Sequence, residues 1–293
     1  MEQLCEEFVF SRIPARAQES HKGSYGHLLA VAGSRRYRGA ASLTVEGALR
    51  TGAGIVTLAS VEPVLAAGTA RLPECGLLPC GENAEGGISA EAGEDLSRAL
   101  QKATVLLMGP GMGNTPDTRT LVRRLVGEAR GTVILDADAL NAAAVLLAAG
   151  ETMPHPAGNL ILTPHPGEMA RLTGLTAAEI AADPAGVAAR YAEQWDCTLV
   201  LKGHRTLIAA PDGRMWQNTT GNAGLSRGGS GDVLAGMTSG LAACGLPAPE
   251  AAACAVWLHG AAADCTADRL GQYGMLPHDL FTDLGDLFSR HYR

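Results

Sequence analysis

The densest chemistry in the sequence lies in Arg227-Gly228-Gly229-Ser230-Gly231-Asp232. Its glycines precede a helical run predicted over 233–244. A helix N-terminus carries free N–H groups, and glycine leaves room for a phosphate to approach them. Asp232 stands at that helix start, facing the same space, and is the candidate catalytic acid/base. The plain alternative is a glycine turn with Asp232 as an ordinary N-cap. The polar run Asn218-Thr219-Thr220-Gly221-Asn222 just upstream tips the balance toward a site.

Four other segments place polar groups after predicted strands. In Thr163-Pro164-His165-Pro166-Gly167-Glu168, two prolines hold His165 stiffly, and Glu168 falls in the first turn of a helix. Taken alone, they read as a surface histidine and a first-turn carboxylate. Gly109-Pro110-Gly111-Met112-Gly113 is a turn that either admits a ligand or merely reverses the chain. In Asp136-Ala137-Asp138-Ala139-Leu140-Asn141, Asp138 is a candidate helix cap, while Asp136 and Asn141 are candidates to face a cleft. Lys202-Gly203-His204-Arg205-Thr206 offers a lysine that can neutralise phosphate, against the alternative of a charged hairpin turn. All five loops fall at one end of the expected sheet, the carboxyl end, where ligands bind in open α/β sheets.

The elements that must position these loops are legible as alternating patterns. Strands are predicted over 27–31, 54–59, 104–108, 132–135, 160–162 and 198–201. Each is continuously apolar, the mark of a strand covered on both faces. Helical patterns run over 39–50, 89–102 (with Ser89 as N-cap), 115–127 and 139–149, the last an Ala/Leu-rich buried helix. Strands separated by helices imply a mostly parallel sheet, hence an α/β fold with a three-layer α/β/α sandwich. Runs 206–209 and 215–217 flank Pro211-Asp212-Gly213 and predict a hairpin with an antiparallel edge. Residues 83–87 read as a surface loop and 153–158 as a connector. Neither divides the chain, so one domain is expected over 1–293.

Composition narrows the partners. A net charge of -7 provides no basic field for duplex DNA, and 4% aromatic residues provide no stacking platform for single strands. The seven cysteines are odd in number and lack C-x-x-C spacing, which argues against zinc and disulfides and for a reducing compartment. The start, Met1-Glu2-Gln3-Leu4-Cys5-Glu6-Glu7, is acidic and carries no apolar leader. No run is long enough to span a bilayer. A cytoplasmic protein with neither nucleic-acid nor membrane partners is expected.

The ordered set of motifs resembles one family. His21-Lys22-Gly23-Ser24-Tyr25-Gly26, Ala32-Gly33-Ser34 and Gly39-Ala40-Ala41 come first. The Gly109, Asp136, Thr163 and Lys202 segments follow, then Gly221-Asn222 and the Gly228–Asp232 turn. From His21 to about Asp279 the chain is similar to the ADP-dependent NAD(P)H-hydrate dehydratases of the ribokinase-like superfamily. The resemblance implies a single ribokinase-like domain. It also implies repair of hydrated NADH or NADPH, whose reduced nicotinamide carries a hydroxyl on C6. A nucleotide, ADP or ATP, would activate that hydroxyl, and elimination would restore NAD(P)H. With ADP the other products are AMP and phosphate.

By position, the resemblance makes Asp232 the residue that takes the hydroxyl proton, with Gly229, Ser230 and Gly231 holding phosphate charge. Lys202, Gly203, His204, Arg205 and Thr206, together with Gly231, match the nucleotide-binding segment. Ala41, Gly111, His165 and Asp232 match positions lining the hydrate. Glu168 matches the acidic member of a magnesium motif, although His165 stands where related sugar kinases carry Asn. The resemblance further implies Mg2+, a homo-oligomer, and a functional link to a separate epimerase. The epimerase domain fused in some relatives is not expected within these 293 residues. Two other classes remain: a kinase of the same fold acting on a vitamin-precursor alcohol, and a non-catalytic nucleotide-binding regulator, for which Asp232 would have no use.

Overall fold

The computed structural model describes residues 1–152 and 155–292. Ten strands form one sheet: β1 (Glu2–Gln3), β2 (His27–Val31), β3 (Ile55–Ser60), β4 (Gly76–Pro79), β5 (Val105–Met108), β6 (Thr132–Leu135), β7 (Leu160–Leu162), β8 (Cys197–Leu201), β9 (Leu207–Ala209) and β10 (Met215–Gln217). The helices among the described residues are α1 (Glu6–Phe10), α2 (Arg38–Arg50), α3 (Glu62–Thr69), α4 (Gly93–Leu100), α5 (Pro116–Glu128), α6 (Asp138–Ala148), α7 (Pro166–Thr173), α8 (Ala177–Ala182), α9 (Pro184–Gln194), α10 (Ser230–Ala243), α11 (Ala248–Gly274) and α12 (Leu280–His291).

Across the sheet the order is β1-β10-β9-β8-β7-β6-β5-β2-β3-β4. From β4 to β8 every pair is parallel; the hairpin of β9 and β10 supplies the antiparallel edge. The expected α/β sandwich is therefore the observed fold. The central strands are apolar because helices cover both faces, and β5 and β7 are buried at every residue. From β2 the chain moves outward to β3; from β5 it moves the other way through β6, β7 and β8. In open α/β sheets ligands bind outside the carboxyl ends of the strands.

Several boundaries differ from the sequence reading. The predicted helix over 89–102 is a 3-10 turn, Ala90–Ala92, capped by the Ser89 hydroxyl and followed by α4. The helix predicted from Val233 begins three residues earlier, at Ser230. Asp138 does not cap α6: Ala137 holds the N-cap position at φ 48, and the Asp138 carboxylate instead accepts a hydrogen bond from Gly113 N–H at 2.8 Å. Two residues of the 153–158 connector, Met153 and Pro154, lie outside the described residues.

Helix α10 is buried over most of its length and packs against α2 through small residues. A Cβ at Gly236 would stand 2.0 Å from the Thr44 carbonyl oxygen on α2. In an exposed helix interior, Gly→Ala gains up to about 1 kcal/mol. At Gly236 the sign should reverse, because the added methyl must push the two backbones apart. Gly236→Ala is expected to lose about 1–3 kcal/mol. Gly285→Ala in α12, where a Cβ meets nothing within 4 Å, should instead gain stability. Urea titrations of both variants check this, and a gain at Gly236 would contradict the packing argument.

Candidate active site

A cavity of about 830 Å³ opens at the carboxyl ends of the strands. Its lining brings together Asp136, His165, Lys202, Ser230, Asp232 and His259. The turn Gly228-Gly229-Ser230-Gly231 forms one wall and leads into α10. Gly229 takes the N-cap position at φ 99, a conformation that L side chains rarely adopt, and no side chain caps this helix. Ser230 N–H reaches back to the Arg227 carbonyl at 3.3 Å, and the next N–H groups of this 14-residue helix, at Gly231 and Asp232, are left free at the cavity wall.

Lys202 follows β8, and its N–H bonds the Pro164 carbonyl, tying two loops together. Its Nζ donates to Asp136 Oδ1 at 2.7 Å and lies 3.8 Å from Glu168 Oε2. Asp136 is only 2% exposed and also accepts from the Thr163 hydroxyl at 2.7 Å. Burial alone would lower the ammonium pKa of Lys202, but Asp136, Glu168 and Asp232 outweigh it and hold the charge above its ordinary range. The same Nζ faces the glycine turn, since a Cβ on Gly231 would be 3.6 Å away.

Asp232 is the third residue of α10, half-buried rather than capping, so the N-cap alternative fails. Burial is the main force on its carboxyl, Asp136 and Asp138 add like charge, and Lys202 opposes them. The result is a pKa pushed up to about 6. A carboxylate tuned this close to neutrality is suited to accept a proton from a substrate hydroxyl.

His165 caps α7, with Nδ1 accepting from Gly167 and Glu168 N–H, and its ring is exposed to the cavity. Glu168, 5% exposed, closes the capping box: Oε2 accepts from His165 N–H at 2.9 Å, and Oε1 lies 3.4 Å from His165 Nε2. The capping box thus engages Oε2, while Oε1 has only the His165 ring within ion-pair distance. Among the described residues, no group of three or more His, Cys, Asp or Glu side chains is arranged to hold a metal ion.

Other expected residues divide. Gly203, His204 and Thr206 line the cavity with Lys202, whereas Arg205 is exposed outside it. Ala41 is fully buried, and neither it nor Gly111 lines this cavity. Gly111 lies against the start of α2, where a Cβ would stand 2.7 Å from Tyr37 Cβ. Asn141 holds Arg171 at 2.7 Å and does not line the cavity. Sequence reasoning missed His259 on α11 and the Asp264 carboxylate, which accepts from Gly221 N–H and from Asn222 Nδ2 and so fixes the polar run beside the cavity. The only sequence signal for His259 is one polar residue in an Ala-rich helix.

The Lys202–Asp136 pair makes a stability prediction. Lys202→Met leaves a carboxylate buried without its cation, which costs about 3–5 kcal/mol. Adding Asp136→Asn should recover most of that loss. A denaturant-unfolding cycle over the four proteins measures the coupling, and additive losses would contradict the pairing.

Comparison with known proteins follows this geometry. The NAD(P)H-hydrate dehydratase family profile matches residues 28–285. The chain is 38% identical to the ADP-dependent (S)-NAD(P)H-hydrate dehydratase of Bacillus subtilis, with 97% of each chain covered. It is 44% identical to a bifunctional NAD(P)H-hydrate repair enzyme of Moorella thermoacetica, over 92% of this chain and 50% of that protein. The chain thus spans about half the length of the bifunctional relatives it matches. The crystal structure of the Bacillus subtilis ADP/ATP-dependent NAD(P)H-hydrate dehydratase, co-crystallised with ATP/Mg2+, superimposes with a TM-score of 0.87 at 36% identity, covering 99% of this chain and 98% of that one. On the match over 28–285, the chain belongs to the NAD(P)H-hydrate dehydratase family.

Proposed function

We propose that this chain, acting as a single ribokinase-like domain, dehydrates the S form of hydrated NADH or NADPH at the expense of a nucleoside phosphate, ADP or ATP. The observation that carries this reading is Asp232, in the first turn of a helix that no side chain caps, lining one large cavity with a half-buried lysine. Family membership selects hydrate repair over phosphorylation of a vitamin-precursor alcohol. The same match argues against a pure binding role.

In this reading the terminal phosphate of the nucleotide sits against Gly229, Ser230 and Gly231, where the N–H groups of the two glycines, free of the Arg227 carbonyl that holds Ser230 N–H, stabilise its charge. Lys202 faces the same turn and adds a cation. Lys202, Gly203, His204 and Thr206 line the nucleotide side of the cavity, and His165 faces the hydrate. Asp232 accepts the proton of the C6 hydroxyl as that oxygen attacks the terminal phosphorus. The bond from phosphorus to the departing AMP (from ADP) breaks, leaving a C6 phosphate ester. The C6–O bond then breaks with phosphate leaving, a proton departs from the neighbouring carbon, and the double bond of NAD(P)H is restored. Phosphate leaves far more readily than hydroxide, which is why the nucleotide is consumed. Magnesium enters with the nucleotide as part of the co-substrate. We further propose a cytoplasmic homo-oligomer that works with a separate hydrate epimerase.

The test is an incubation of hydrated NADH with the protein and Mg-ADP or Mg-ATP, read at the reduced-nicotinamide absorbance band. NADH should reappear only with nucleotide present. Phosphorylation of thiamine-precursor alcohols without hydrate repair would overturn the reading.

Asp232→Asn sharpens the test. The chemical step should slow by about 10²–10⁴-fold, the span expected for loss of a general base. Stability should move in the opposite direction. The raised carboxyl pKa means that folding favours the protonated form. That contribution is fully present below the unfolded-state pKa of about 4 and is lost as pH rises through about 6. At pH 7–8 the wild type therefore carries a buried-charge penalty that Asn lacks. The variant should melt higher there, with the two curves converging below about pH 4. Near-normal single-turnover rates would remove Asp232 from the mechanism.

A further inference from the structure

Two buried polar atoms beside the cavity have no hydrogen-bond partner in the protein, Ser230 Oγ and His259 Nε2. Both residues line the cavity, and they are 6% and 7% exposed. Ser230 is the first residue of α10, and His259 lies on α11, which packs against it. The position of His259 is firmly set. A Cβ on the next residue, Gly260, would stand 2.2 Å from Thr220 Oγ1, and Thr220 Oγ1 in turn donates to the Trp257 carbonyl at 2.9 Å. Helix α11 is therefore pressed onto the 218–222 run, with His259 held under the glycine turn.

An unsatisfied buried polar group costs about 1–3 kcal/mol, and an apolar side chain of similar size would avoid that cost. Retaining two such groups in the lining of one binding cavity points to a ligand that completes them. The surroundings define the ligand's chemistry. Lys202 Nζ, the free N–H groups of α10, a hydroxyl and an imidazole converge, and an anionic oxygen satisfies all of them. Burial holds the imidazole pKa down at about 4, against a contact with the Ser230 backbone that raises it, so the ring is uncharged at neutral pH and carries one N–H to donate.

We propose that His259 is a further residue of the nucleotide site, where its imidazole and the Ser230 hydroxyl hydrogen-bond a phosphate oxygen of the bound nucleotide. The proposal rests on the nucleotide-dependent reading above. It adds a group from α11 to a phosphate site otherwise built from α10 and the Lys202 loop. Asp232 keeps its role; His259 contributes affinity for phosphate and no proton transfer.

Calorimetric titration of wild type and His259→Leu with ADP and with adenosine tests it. A hydrogen bond to a charged group is worth enough that ADP should bind His259→Leu about ten- to a hundredfold more weakly. Adenosine, which has no phosphate, should bind both proteins alike. The apo variant should melt at or above the wild-type temperature, because the orphaned nitrogen is gone. His259→Gln, which keeps an N–H, should lose less ADP affinity than His259→Leu. Equal ADP affinity in wild type and His259→Leu would overturn the proposal, as would equal weakening of ADP and adenosine. If His259→Leu fails to fold, Ser230→Ala carries the test: it must lose ADP affinity selectively over adenosine, and no loss would overturn the shared contact. Wild type that binds no ADP would instead sink the nucleotide-dependent reading itself, a result distinct from either.

Discussion

Lys202 and Asp136 are the interaction on which the geometry of the cleft depends. Asp136 comes from the end of β6, Lys202 from the end of β8, and Thr163 from the strand between them. Their contacts fasten three adjacent β–α turns. Glu168 joins through Lys202 and through the cap of α7, so His165 is placed by the same cluster. Exchanging both members of this pair for apolar residues of similar volume would cost the stability of the fold little. The electrostatics of the site would not survive the exchange, because the cation that moderates Asp232 and the carboxylate that raises it are the two members of the pair.

The glycine turn abuts this charged cluster, with Gly231 against Lys202 and Asp136. Helix α10 lies close enough to α2 for Gly236 to meet the Thr44 carbonyl, and Thr44 Oγ1 donates to the Asp232 carbonyl at 3.3 Å. Core packing therefore sets the height at which the first turn of α10 meets the cavity. The turn can leave its N–H groups free because Gly229, at φ 99, brings the chain into the helix without a capping side chain. Packing fixes the backbone, the backbone presents the donors, and the buried ions set the proton affinity of Asp232.

Much of this was readable from residue order, for physical reasons. Strands covered on both faces must be apolar throughout, so β2, β5, β6 and β8 stand out, and the loops that follow them had to share one edge. Other features depend on tertiary contact. Strand β1 is two exposed residues, Glu2 and Gln3, paired with β10 through backbone alone, so no side-chain pattern marks it. Helix α10 starts three residues before the sequence pattern places it, because Gly-Ser-Gly has poor helix propensity, which burial overrides. Asp138 has the composition of a cap, yet the positive φ of Ala137 turns its carboxylate toward Gly113. Glu168 closes a capping box with His165, a pairing that only the fold reveals. Ala41, matched to the hydrate by resemblance, is fully enclosed by its neighbours. His259 is invisible in sequence because its significance is a missing partner, and only coordinates reveal that.

The central claim is that burial and a second carboxylate, moderated by Lys202, tune Asp232 for proton transfer near neutrality. Carboxyl carbon-13 NMR of the unliganded protein over a pH titration measures this directly, with the Asp232 resonance assigned by its disappearance in Asp232→Asn. The Asp232 carboxyl should titrate near 6. Titration near 4, the range of an ordinary exposed aspartate, would contradict it.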